Sequence, residues 1–340
     1  MDADRLRGLP KAELHQHLDG SLRPETAVEL ATAIGMPLTL AEARTRMVGP
    51  ARCRDQAELL EFFDLPIALL QTAAALERAA SELVDDLAAD GIRYAEVRWA
   101  PRLHLERGLS VGDVIDAVVR GITGRDDERP MIGLIVTAMR SHPPSANAEL
   151  ARAAGAFGWP VIGFDLAGPE AAWPAPPHAI AFVIAREAGL ELTAHAGEVS
   201  GPQRVREVLE FGVRRVAHGV TAIDDETVLE ALRARDVTLD LCPTSNVQAG
   251  VVASLEAHPL AALHRAGVSV TISTDDRTVT GVGLSEEMAR TAAAQGLARD
   301  ELASIALNGF DRAFASRAAI APLVADARRA WDAWRNSPIR

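Results

Sequence analysis

The chain has 340 residues, 48% of them apolar, and sets 35 basic against 47 acidic side chains for a net charge of −12. With Arg and Lys scattered rather than banked, that balance excludes the basic surface a polynucleotide binder needs. No run approaches the roughly 18 apolar residues of a membrane span, and two isolated cysteines, Cys53 and Cys242, exclude a disulfide framework and a thiolate metal cage.

Any metal must then be held by His and carboxylate. The N-terminal MDADRLRGLPKAELH alternates charge where a signal peptide would carry an apolar run. A soluble cytoplasmic protein is the expectation.

In chain order, short apolar and β-branched runs ending in Gly, Pro, Asp or His read as strands. They are 12–18 (AELHQHL), 94–100 (YAEVRWA), 133–139 (GLIVTAM), 161–167 (VIGFDLA), 190–196 (LELTAHA), 213–218 (VRRVAH), 237–242 (VTLDLC) and 268–274 (VSVTIST). From the second to the seventh each is followed by helical periodicity: Val111–Gly124, Ala146–Phe157, His178–Gly189, Gly201–Phe211, Asp224–Arg235 and His258–Ala266. Eight strands alternating with helices predict a parallel (β/α)₈ barrel. An open doubly wound sheet would want a Gly-rich phosphate turn after its first strand, where this chain has HQHLDG.

The whole chain, 1–340, reads as one barrel with two additions. Residues 20–92 exceed a single crossover and suggest several helices, one bent or restarted at Pro66. This insertion leaves the C-terminal end of strand 1 and could arch over the barrel mouth as a lid. Residues 284–340 supply further helices.

The strand ends carry the chemistry. His15 and His17, two apart on a strand, point the same way, as two ligands of one ion must. A lone His-x-His is weak evidence, more often a pair of packed or solvated histidines than a metal site. His195 ends strand 5, however, His218 ends strand 6 and Asp275–Asp276 closes strand 8. In a barrel these ends meet on the catalytic C-terminal face.

Three imidazoles and one carboxylate, from His15, His17, His195 and Asp275, suit one zinc ion, with one protein ligand more than the usual catalytic site. Such an ion would acidify a water beside an electrophile. Glu198, three residues past His195 and after a permissive Gly197, could reach over a substrate; alternatively it is a helix N-terminal carboxylate. His218 could move a proton nearby, serve as a fifth ligand, or simply pack.

PKAELHQHLDGSLRPET, FDLAGPE, TAHAGEV, AHGV, CPTSN and STDD, in this order, resemble the motifs of the adenosine deaminase family of metal-dependent hydrolase barrels. The likeness runs from about Leu9 past residue 310. It implies zinc-dependent hydrolytic deamination at C6 of adenosine, with His15, His17, His195 and Asp275 as zinc ligands and Glu198 protonating N1. His218 and Asp276 would orient and deprotonate the water, Asp276 also touching N7. The main-chain amide of Gly168 would meet N3 and Asp19, by strand parity on the face of the two histidines, the ribose hydroxyls. Phe62 and Phe63 match the apolar lid.

The sequence departs from the commoner family pattern at Ala217 before His218, at Arg277 after the acidic pair and in the loop Arg140–Asn147. Arg277 is expected to face solvent, the alternative being a contact with an anionic group on a modified nucleoside. The partner is thus a small purine nucleoside, adenosine or 2′-deoxyadenosine. The rival substrates are free adenine or an elaborated nucleoside such as an aminodeoxyfutalosine; the rival class is a catalytically silent binding barrel.

Overall fold

The computed structural model describes residues 2–123 and 129–338. Its eight parallel strands are β1 (Lys11–His17), β2 (Ile92–Trp99), β3 (Met131–Met139), β4 (Val161–Ala167), β5 (Glu191–Ala196), β6 (Arg215–His218), β7 (Thr238–Leu241) and β8 (Ser269–Ile272), each bonded to the next in chain order. This is the expected (β/α)₈ barrel, with every strand within two residues of its predicted bounds. The ring closes just beyond β8, where Gln16 bridges Asp275. There the His17 N–H donates to Asp275 O (2.7 Å) and the Asp275 N–H to His15 O (3.1 Å). Closure therefore delivers Asp275 to the two histidines of β1.

The predicted helices form with trimmed ends: Val111–Ile122, Pro144–Gly155, Ala179–Glu187, Gln203–Leu209, Glu226–Ala234 and Leu260–Arg265. Side-chain caps fix two of the starts. Ser110 and Asp113 make a capping box, and the Asp225 carboxylate accepts from Thr227 N–H. Gly124, the expected end of the first of these helices, lies outside the described residues. Among the described residues no helix is long and apolar enough to cross a membrane.

Residues 20–92 do hold several helices: Pro24–Ala33, Leu40–Met47, Gln56–Leu60, Asp64–Leu69 and Ala73–Ala89. The last packs on Val111–Ile122 as a member of the barrel's outer ring, so the added segment ends near Thr72. The chain restarts at Asp64 rather than at Pro66, after the 3₁₀ turn Glu61–Phe63. Pro66 sits in the new helix's first turn, where its missing N–H leaves no bond unmade. In the tail, Arg299–Asp311 lies against β1 and β8, and Trp331 Nε1 of the helix Arg317–Arg335 donates to Pro10 O (2.9 Å).

Below the site the barrel is ionic rather than filled with branched apolar side chains. Arg215 donates to Asp240 Oδ2 (2.9 Å), pairs with Glu96 and stacks on Phe314, its Cζ 3.7 Å from the ring centroid. Arg98 pairs with Asp165 Oδ2 (3.3 Å) and donates to Leu14 O (2.7 Å). All five charged side chains are buried. Removing one partner of such a pair strands a desolvated charge at a cost of about 3–5 kcal/mol.

Candidate active site

Four donors from distant parts of the chain converge at the barrel rim. The Nε2 atoms of His15 and His17 are 3.2 Å apart, as are those of His17 and His195. Asp275 Oδ1 lies 2.9 Å from His15 Nε2 and 3.3 Å from His17 Nε2. A cation about 2.1 Å from each donor, with ligands between right-angled and tetrahedral, spans edges of about 3.0–3.4 Å.

The electrostatics fit a cation equally well. His195 Nδ1 faces Asp165 Oδ2 at 3.0 Å, so its proton sits there and Nε2 turns a lone pair inward. Burial, aided by the charge of Arg98, holds His15 well below the usual histidine range, and burial brings His17 down to about 3. Neutral imidazole nitrogens 3.2 Å apart need a shared proton or a cation between them, and with three such nitrogens and a carboxylate converging a cation serves all four at once. Asp275 is buried among these imidazoles. Ser245 Oγ donates to its other oxygen at 2.7 Å. The donor set thus fits a divalent ion. A second grouping, His218, Cys242 and Asp275, shares its carboxylate with the first. Burial and nearby carboxylates push the Cys242 thiol well up, away from the thiolate a metal wants.

Beside these donors lies a cavity of about 260 Å³ lined by Glu198, His218 and Asp276. Gly197 turns the chain off β5 at φ +66°, and a side chain there would meet Val205 at 2.5 Å. The loop is then held from beneath. The buried Glu170 carboxylate accepts from the N–H groups of Gly197 (2.7 Å), Glu198 (3.0 Å) and Val199 (3.2 Å). Burial, reinforced by the Asp275 carboxylate, pushes the Glu198 carboxyl up to about 8. Gln56, from the added helical segment, donates to Glu198 Oε2.

His218 and Asp275 both adopt left-handed backbone, φ +64° and +65°, which aims their side chains into the barrel mouth. Asp276 is buried, and that burial with the charges of Asp275 and Asp19 raises its carboxyl well above the usual range. Space for it exists because residue 20 is glycine: a Cβ there would lie 2.1 Å from Asp276 Oδ1.

Several expectations are corrected. Asp19 reaches the cavity, but not by strand parity: β1 ends at His17 and Asp19 opens the 3₁₀ turn Asp19–Ser21. Its carboxylate is set by the Ala100 N–H (3.2 Å) and His104 Nε2 (2.7 Å). Gly168 lines the cavity as expected. Of the two phenylalanines only Phe63 does so, with Leu60 and Ile67; both rings pack on the small cluster of Cys53, Leu59, Ala249 and Val279.

Arg277 neither faces solvent freely nor lines the cavity; it pairs with the buried Asp90 at 3.3 Å. The divergent loop begins with a buried Arg140 that donates to the carbonyls of His195 and Trp173. Asp165, Glu170 and Ser245 received no role from the sequence, although each lies inside a quoted motif. A carboxylate in the otherwise apolar strand VIGFDLA was the available signal.

Residues 10–326 match the family described as adenosine deaminase. The chain is 37% identical over 317 residues to an adenosine deaminase of Clostridium perfringens, covering 92% of this chain and 96% of that protein. Among solved structures it resembles an adenine deaminase from Arthrobacter aurescens, with TM-score 0.88 and 28% identity over 94% of this chain and 98% of that one. It also resembles an amidohydrolase from Burkholderia ambifaria with bound Zn, with TM-score 0.86 and 26% identity over 97% of this chain and 94% of that one. With the barrel, the rim donors and these likenesses in agreement, the chain belongs to the adenosine deaminase family and is an aminohydrolase.

Proposed function

We propose that this protein converts adenosine and 2′-deoxyadenosine, with water, to inosine or 2′-deoxyinosine and ammonia, using one zinc ion held by His15, His17, His195 and Asp275. When bound there, such an ion lowers the pKa of a water toward neutrality. The observation that carries the reading is Glu198, a buried carboxyl lining the same small cavity as His17, His195 and Asp275, three of the four donors. A purine resists attack at C6 until N1 is protonated, and Glu198 supplies that proton. His218 and Asp276 hold the water and take its proton, a bound cation offsetting the Asp275 charge that otherwise raises Asp276, which also bonds N7. The Gly168 amide meets N3, Asp19 the ribose hydroxyls, and Phe63 with its helical segment closes over the base to exclude water.

Among the described residues, the cavity lining contains no Lys or Arg. That favours a neutral nucleoside over a nucleotide. A substrate panel of adenosine, 2′-deoxyadenosine, adenine, an aminodeoxyfutalosine and AMP, followed by ultraviolet change and ammonia release, tests the reading. The two nucleosides should lead; adenine or AMP leading would overturn it.

Two variants sharpen the assignment. Asp19→Ala should lower kcat/KM for adenosine by about 10- to 100-fold, the worth of a hydrogen bond to a charged group, and spare adenine. Equal loss on both substrates would defeat the ribose role. Gly20→Ala introduces a β-carbon where the Asp276 carboxylate lies, and φ at Gly20 is not in the left-handed region. It should lower the melting temperature by a few degrees, since overpacking a buried site costs about 1–3 kcal/mol, and lose about 100-fold in kcat/KM, the cost of an ångström's misplacement. Wild-type turnover would free Asp276 of its role.

A further inference from the structure

Behind His218 runs a chain of three buried hydrogen bonds leading away from the cavity. Its far end is a backbone amide: the Leu260 N–H donates to His258 Nδ1 at 3.1 Å. His258 Nε2 lies 3.1 Å from Asn246 Oδ1, and Asn246 Nδ2 lies 3.2 Å from His218 Nδ1. All three side chains are buried, the least so being His258 at 4% exposed.

The direction of every bond follows from that first amide. A backbone N–H can only donate, so His258 Nδ1 is an acceptor and the ring's proton must sit on Nε2. Burial keeps the ring from taking a second proton, bringing it down to about 3. His258 Nε2–H therefore donates to the Asn246 oxygen, which turns the amide NH₂ toward His218. His218 Nδ1 must accept in turn. A proton on Nδ1 would meet the NH₂ group head on.

We infer that Asn246 and His258 are positioning residues for the deamination, which fix His218 in the tautomer that presents Nε2–H to the reacting centre. The inference rests on the function proposed above and divides a role left shared there. His218 Nε2 lies 3.8 Å from both Glu198 Oε2 and Asp275 Oδ2, at the mouth of the cavity. With its proton already on Nε2, His218 donates to the oxygen that attacks C6 and steadies the charge developing there. The water's proton goes instead to Asp276, whose Oδ1 is buried without a hydrogen-bond partner. The asparagine of CPTSN and the histidine of EAHP, 12 residues apart, thus act through His218 without touching the substrate.

The test is nitrogen NMR of the zinc-loaded protein labelled with ¹⁵N-histidine, with His218 assigned by its loss in His218→Gln. Wild type should show His218 and His258 protonated on Nε2. Asn246→Asp, similar in size but able only to accept, should draw the His218 proton to Nδ1 and lower kcat by about 10- to 100-fold with little change in KM. His258→Gln, which keeps a donor toward Asn246, should retain more turnover than His258→Leu. A wild-type His218 protonated on Nδ1, or an Asn246→Asp enzyme with wild-type kcat, overturns the relay. If the wild type deaminates no nucleoside, the proposed function falls and the NMR result alone still decides the tautomer.

Discussion

Replacing Glu198 by Gln is expected to leave the fold and the bound metal intact and to lower turnover by about 10²–10⁴-fold, the range of general acid catalysis. That is about 3–5 kcal/mol of barrel-mouth chemistry lost with one proton. The amide matches the carboxyl in shape and can still accept the Gln56 bond, but it has no proton to give N1. Activity and metal content must be read together: normal zinc with wild-type rates would remove Glu198 from the mechanism.

The same residue sets a pH limb. The acid form is the active one, and burial followed by the Asp275 charge raises its pKa to about 8. Activity should therefore hold below that value and fall as pH rises through it. A bound cation offsets the Asp275 charge, so loading the metal should move the limb to lower pH. Because the limb belongs to Glu198, the residual activity of Glu198→Gln should lack it. A pH profile of kcat/KM for both proteins checks this.

The second large effect is His17→Ala. Removing one of four donors leaves two imidazoles, 4.8 Å apart between ring centroids, and one carboxylate. Metal content by mass spectrometry should fall to a small fraction, and activity by about 10³-fold or more. A metal supplies several kcal/mol of transition-state stabilisation, each 1.4 kcal/mol being tenfold. The variant should also lose the rise in melting temperature that added zinc gives the wild type, since a ligand that binds only the folded state stabilises it. Full occupancy after His17→Ala would refute the donor set.

Much of this was legible in the residues themselves, because strands, helices and their alternation are written by short-range periodicity. The order of the eight strands followed from that pattern, and the barrel rule then placed His15, His17, His195, His218 and Asp275–Asp276 at one rim. Gly197 announced the turn that frees Glu198. These are properties of neighbours in the chain.

What tertiary structure decided is which polar atoms meet across long separations. Gln16 and Asp275, 259 residues apart, close the ring in one register, and a shift by a single residue would carry Asp275 away from the histidines. The ionic layer of Arg98 and Arg215, the seat of Arg277 on Asp90, the cradle of Glu170 under the Glu198 loop and the line from Leu260 to His218 all depend on side chains packed after closure. Buried polar groups must find partners, but a sequence names the groups and not the pairs. Asp19 shows the difference. Its residue type foretold a polar contact at the rim, while its path there, through a 3₁₀ turn locked by His104, existed only in the folded barrel.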